Sequence, residues 1–209
     1  MLKCKFSFRP LVLVSICLAP CVHAQRTPDL RPGNFELGLY GGASYGVDSF
    51  RPMGGVNLSY SLPKLLLPYV EFSYFPELLR HYVVADKSGT LTARLVDFHG
   101  GVHIRFIQHE SRVVPYGVVG IGVLNSHTTG KSRPTDTSRY TPAQIEALTS
   151  NVDIRGNDPT ANFGAGLRVY HTSAFGYRAE FKLYRPLSGE FTKVFTKTEG
   201  GIFFQFGGK

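Results

Sequence analysis

Tryptophan is absent from this 209-residue chain, and its three cysteines, Cys4, Cys17 and Cys21, all fall in the first 21 positions. Beyond that leader no thiol remains, which excludes disulfides and thiolate metal sites. Long apolar runs are also missing. The stretch Leu11–Leu18 (LVLVSICL) is the nearest approach, and a membrane-spanning helix needs roughly 20 such residues. Charge of one sign does not cluster: 23 Lys and Arg stand against 15 Asp and Glu, a formal net of +8, but they are spread along the chain and leave no nucleic-acid footprint. No phosphate-cradling glycine loop, metal motif or nucleophile elbow occurs, so neither a cofactor nor a metal is expected.

What is present begins with an export signal. Lys3, Lys5 and Arg9 precede the apolar stretch, and Val22-His23-Ala24 offers small residues for cleavage before Gln25. That order reads as a secretory leader over residues 1–24, followed by a short segment over 25–33. Lipoprotein processing at Cys21 fits less well, because Pro20 directly precedes it. Cleavage removes three basic residues and no acidic one, so the mature charge is 20 minus 15, or +5.

The remaining chain is rich in Gly, Tyr and Phe, which favours strands over helices, and period-two alternation runs through it. In Phe35–Tyr45, Phe35, Leu37 and Leu39 oppose Glu36, Gly38 and Tyr40. Val56–Leu62 and Tyr69–Phe75 alternate likewise. Leu95–Phe106 is the clearest case, with Val96, Phe98, Val102 and Ile104 against Asp97, His99, His103 and Arg105. Ala161–Tyr170, Tyr177–Tyr184 and Gly200–Phe206 follow, while Val113–Leu124 is apolar or glycine on both faces. Eight strands result. Connections after strands two, four and six are short, whereas Pro76–Thr90, Asn125–Thr160 and Arg185–Thr198 are long; Gly46–Met53 is intermediate. Segregated turns and loops are the pattern of an up-and-down membrane barrel. In the longest connection, Thr141-Pro142-Ala143-Gln144 carries a capping box with Pro at the first helical position, which predicts one or two turns of helix in an otherwise irregular polar loop.

The expected fold is therefore all-β: an eight-stranded antiparallel up-and-down transmembrane β-barrel over 34–209, with a long loop near 125–160. Tyr45, Tyr60, Phe75, Phe106, Tyr170 and Phe206, near strand ends, are the candidate aromatic girdles. A soluble barrel would turn the same alternation inside out, with an apolar interior and a charged exterior. With the polar face inward, Glu36, Glu71, Asp97, His99, His103, Arg105, Arg168, Arg178, Glu180 and Lys182 form a lumen network of both signs.

Val114-Pro115-Tyr116-Gly117-Val118-Val119-Gly120-Ile121-Gly122 resembles the Pro-Tyr-glycine strand of the OmpA-like, OmpX-like and OmpW-like outer-membrane barrels. Gly164–Tyr170 with Gly176–Glu180 resembles their late strands, and Gly201–Phe206 their closing strand. Gly207-Gly208-Lys209 after the last aromatic departs from that pattern. The resemblance implies an outer-membrane location in a Gram-negative envelope, with membrane lipid, lipopolysaccharide and the barrel assembly machinery as partners. It also implies a monomer with a structural or surface-interaction role, and not an enzyme. Three alternatives stay open: a lipid A acyl hydrolase, a narrow porin-like channel or transporter for small molecules, and a soluble periplasmic ligand-binding barrel. For the hydrolase, His171-Thr172-Ser173 offers base and nucleophile, with Glu180 or Glu190 as the orienting acid; the segment also reads as a turn, and Ala174 stands where the family has asparagine. His99 and His103 share a face but lie about 13 Å apart at strand rise, so a metal would need Asp97 or Glu71 to converge. Lys131, Arg133 and Arg139 in the long loop are placed to meet anionic lipopolysaccharide or a host surface.

Overall fold

A computed structural model describes residues 33–46, 50–63, 65–84, 87–106, 112–187 and 194–207. The leader, its cleavage point after Ala24, Glu190 and the last two residues lie outside that set. Eight strands form one closed antiparallel barrel in chain order. They are β1 (Asn34–Tyr45), β2 (Phe50–Tyr60), β3 (Leu66–Val84), β4 (Lys87–Arg105), β5 (Val113–Pro134), β6 (Ser150–Tyr170), β7 (Phe175–Pro186) and β8 (Phe195–Gly207). Closure is made by β1 against β8, from Asn34↔Gly207 to Tyr45↔Thr196. No strand edge is left open around the body of the barrel, which removes the unpaired backbone groups that hydrocarbon cannot hydrate.

The alternation decides which face is which. Leu39, Phe98, Val119, Ile121 and Phe163 are 48, 56, 49, 69 and 56% exposed on the outside, while Glu71, Asp97, His99, Arg168 and Lys182 are no more than 1% exposed inside. An apolar exterior around a charged interior is the inverse of a soluble barrel, and it is the surface that lipid requires. Aromatic rings fill the lumen by lying over glycines of neighbouring strands. A methyl group at Gly166 would fall 2.5 Å from Cζ of Tyr116, and one at Gly176 would fall 2.5 Å from Cζ of Phe203. The abundance of Gly and Tyr is thus a packing device: a flat ring needs a bare backbone beneath it.

Strand lengths depart from the expected ones. β3 to β6 run 19 to 22 residues, whereas β1, β2, β7 and β8 run 11 to 13. The segments Pro76–Thr90 and Asn125–Thr160, expected as irregular loops, are instead mostly strand. They continue the β3–β4 and β5–β6 hairpins past the barrel as a four-stranded ribbon. Ladder pairing extends to Val84↔Lys87 and to Ser132↔Ser150. A bulge between Phe75 and Leu78 marks where β3 leaves the body, and it switches the inward-facing residues of that strand from odd to even numbers. At the ribbon's tip sit a single 3-10 turn, Thr137–Arg139, and the expected helix α1 (Pro142–Leu148). Both halves of its capping box are formed: Gln144 N donates to Thr141 Oγ1 at 3.4 Å, and Thr141 N donates to Gln144 Oε1 at 2.9 Å.

Two of the six girdle candidates are also corrected. Phe75 and Tyr170 point into the lumen, 0 and 3% exposed. Each stands two residues from a lumen-facing polar side chain, Ser73 and Arg168, and the pleat carries it to the same side. Tyr45, Phe106 and Phe206 do face outward, and Tyr60 packs against Phe35 with ring centroids 4.8 Å apart.

Candidate functional site: a charged lumen

All ten residues expected on the polar face are buried inside the barrel. Their partners come from strands far apart in sequence. Lys182 on β7 is the hub: its Nζ lies 2.6 Å from Glu71 Oε2, 2.9 Å from Glu180 Oε2 and 3.1 Å from Glu199 Oε2. These three carboxylates converge closely enough to hold a metal ion, but the ammonium already stands among them and supplies the compensating charge. Arg178 adds a second cation, 3.5 Å from Glu180 and 4.0 Å from Glu71, with its guanidinium over the ring of Tyr40. Tyr116 donates to Glu180 at 2.5 Å.

Nearer the end where β1 starts and β8 finishes, Arg168 binds Glu36 through Nη2 at 2.9 Å and Nε at 3.2 Å, and it lies over the Tyr116 ring. The same Nη2 donates to His103 Nδ1 at 2.9 Å, and the His103 ring stacks on Tyr69. Arg105 donates to Ser61 at 2.8 Å. Nearer the ribbon, Asp97 pairs with Lys197, and His99 Nδ1 lies 2.6 Å from Asp97 Oδ1 while its Nε2 meets Thr160 Oγ1 at 2.7 Å. His99 and His103 therefore share the lumen but have separate partners. A pair of apolar clusters lies on either side of this network. Tyr40, Met53, Phe75, Leu95, Leu124, Tyr184 and Phe195 form the one towards the ribbon, and Val114, Tyr170 and Phe203 the one at the opposite end.

Several lumen residues were not anticipated from the sequence: Arg51, Asp158, Lys197 and Glu199, each 3% exposed or less. Thr196-Lys197-Thr198-Glu199 carried the signal, because its charges fall at every second position directly before Gly200. With these included, the buried charges among the described residues are Arg51, Arg105, Arg168, Arg178, Lys182 and Lys197 against Glu36, Glu71, Asp97, Asp158, Glu180 and Glu199, six of each sign.

The remaining sequence candidates lie apart from the lumen network. His171, Thr172 and Ser173 occupy the turn between β6 and β7, where Thr172 Oγ1 accepts from Ala174 N and His171 is exposed. Glu180 faces the lumen and is already engaged by Tyr116 and Lys182, so it does not orient His171; Glu190 lies outside the described residues. Lys131 and Arg133 lie on the ribbon portion of β5, and Arg139 at its tip pairs with Asp136 at 2.9 Å.

No protein-family model matches the chain, and no curated protein sequence does. Among solved structures, Ail, the attachment invasion locus protein of Yersinia pestis, in complex with the heparin analogue sucrose octasulfate, aligns over 84% of this chain and 100% of its own. The TM-score is 0.50 and the identity 12%. The fold is that of a small outer-membrane barrel. The N-terminal β-barrel domain of Pseudomonas aeruginosa OprF is 20% identical over 83% of this chain and 99% of its own, with a TM-score of 0.49. OprG of the same organism is 9% identical over 88% and 99%, with a TM-score of 0.47. An outer-membrane barrel of eight strands encloses little more than its own side chains, so what this one does follows from how they are disposed.

Proposed function

We propose that the chain is exported, sits in the outer membrane and works through its surface, with a lumen closed to solutes. The observation that carries this reading is the balanced lumen. Six cations and six anions are buried together, flanked by apolar clusters on both sides. Isolated charges in such a place would be costly, and mutual pairing offsets that cost. A conducting pore would need a continuous polar path. Here Tyr184 stacks on Phe195 towards one end, and Tyr170 meets Phe203 edge-on towards the other. The role left for the molecule is structural or adhesive, carried by the ribbon of β3 to β6, with β8 and its aromatic Phe206 as the strand read by the assembly machinery.

Planar-bilayer recording of the purified chain tests the closed lumen. Silent membranes are the expected result, and steady single-channel steps that change with Arg178→Ser would overturn the reading in favour of a narrow channel. Placement in the membrane is tested separately by gel mobility, where a closed barrel migrates differently before and after boiling.

A further inference from the structure

The outward face of the ribbon carries a feature that neither the fold nor the lumen accounts for. On the body this face is apolar: Phe98 on β4, Ile121 and Val123 on β5, Phe163 on β6. Two same-face positions beyond Phe98 and Val123, past Val96, Asn125 and Asn157, it becomes basic. Register places Arg94 beside His127 and His127 beside Arg155, so three basic side chains form one rung across β4, β5 and β6. Further out, Thr92 pairs with Thr129 and Thr129 with Asp153. The next rung joins His81, Thr90, Lys131 and Asn151, and Arg133 follows beside Ser88. A groove of about 900 Å³ runs over the outer rungs, from Thr92 and Thr129 to Arg133, lined by hydroxyls, by Val83 and Val152, and by Lys131 and Arg133; the Arg94–His127–Arg155 rung lies below it.

The charge on this face is mostly basic. Asp153 is engaged by His127 at 3.0 Å and Arg155 at 3.5 Å, and the exposed Glu77 stands at the bulge where β3 faces Arg94. Arg94, Lys131 and Arg133 have no carboxylate partner among the described residues. The apolar face fixes where hydrocarbon ends, and the basic rung follows past one intervening rung that carries the Asn125–Asn157 pair. That is the depth of the lipid headgroups. Arginine and lysine bind phosphate there, the former through a planar fork. Rows of Thr, Ser and Asn side chains beyond the rung match the hydroxyls of a sugar.

We propose that this groove binds the phosphorylated saccharide headgroup of an outer-leaflet glycolipid, with Lys131 and Arg133 in the groove and Arg94 on the rung below it meeting its phosphates. The proposal rests on the membrane placement given above and names the ligand class of the ribbon. One fact favours a lipid over a soluble polyanion: the basic rung of Arg94, His127 and Arg155 lies between the lipid-facing band and the groove rather than at the ribbon's tip.

Native mass spectrometry of the full chain in detergent micelles, titrated with diphosphoryl lipid A or with the same lipid stripped of phosphate, tests it. The triple variant Arg94→Ser/Lys131→Ser/Arg133→Ser should bind the phosphorylated lipid at least tenfold more weakly. Removing the phosphates should weaken the wild type by a similar factor and leave the variant unchanged, since the two changes delete one interaction. Equal binding by wild type and variant would overturn the proposal. So would soluble heparin competing as tightly as the lipid, because the groove would then read a polyanion from solution. A boiling-dependent gel shift retained by the variant shows that its barrel is intact. Loss of that shift in the wild type would refute the membrane placement itself, an outcome separate from failure of the groove.

Discussion

The barrel body and the ribbon are built from the same four strands, yet they obey opposite rules. In the body, β3 to β6 present apolar side chains to the outside and charge to the inside, where Arg168 meets Glu36 and Glu71 meets Lys182 across the barrel. Past Phe75 on β3 and Pro159 on β6 polar residues enter both faces and the apolar ones, such as Leu79, Val83 and Ile154, no longer form a band. There β6 has a strand on one side only, β5, at residues 150–158, because β7 pairs from Thr160 onward among the described residues. Side-chain bonds in the ribbon join nearest strands: Asn125 to Asn157 at 2.5 Å, His127 to Asp153 at 3.0 Å, Ser132 to Ser150 at 2.6 Å. Such cross-strand pairs contribute roughly 0.2–1 kcal/mol each. The body has a network crossing its interior as well as its ladder, the ribbon only its ladder and the pairs along it. A strand does not carry its stability with it from one environment to the next.

That contrast predicts a steep gradient in mutational cost. The largest effect belongs to Lys182→Met, which leaves Glu71, Glu180 and Glu199 buried around an uncharged side chain. Removing one partner of a buried ionic cluster costs about 3–5 kcal/mol. Urea unfolding in lipid vesicles should show that loss, and adding Glu199→Gln should recover part of it; an unchanged midpoint would mean that the network is not what holds the body together. Next comes Gly166→Val, where the new side chain meets the ring of Tyr116. Overpacking of this kind costs about 1–3 kcal/mol, and the temperature at which the barrel loses its unheated gel mobility should fall accordingly. The smallest effect is expected at the ribbon's tip. Thr141→Ala removes the N-cap of α1, worth about 1 kcal/mol to the helix. Amide exchange should quicken over 142–148 while the global unfolding transition stays in place; a shift of that transition would erase the distinction between ribbon and body.

How much of this could be read from the sequence follows the same division. Leu95–Phe106 was plain because one face is apolar and the other is charged, so the pattern survives any error in the strand's ends. Helix α1 was plain because its capping box is local. The ribbon was not, since Thr90, Thr92, Thr128, Thr129 and Ser132 carry no hydrophobic period; polar residues on both faces of a strand look like a loop. The lumen network was legible wherever an apolar face ran opposite it. Lys197 and Glu199 escaped because their outward neighbours are threonines, Thr196 and Thr198. Pairings such as Arg168 with Glu36 cannot be read from a sequence at all, because which residues meet across a barrel depends on tilt and shear as well as alternation.

The distances along the chain between lumen partners also bear on how the barrel assembles. Glu36 and Arg168 are separated by 132 residues, Glu71 and Lys182 by 111, Asp97 and Lys197 by 100. None of these contacts is local, and such contacts reward the chain only after long segments have been brought together. A sheet that had paired β1 through β6 would contain Glu36 and Arg168 but leave them on its two outer strands, while Glu71 would still await Lys182, and Asp97 would await Lys197. The last hairpin to dock therefore neutralises the charge left by all the others, and zipping β8 onto β1 is the step that makes the fold cooperative rather than a sum of hairpins.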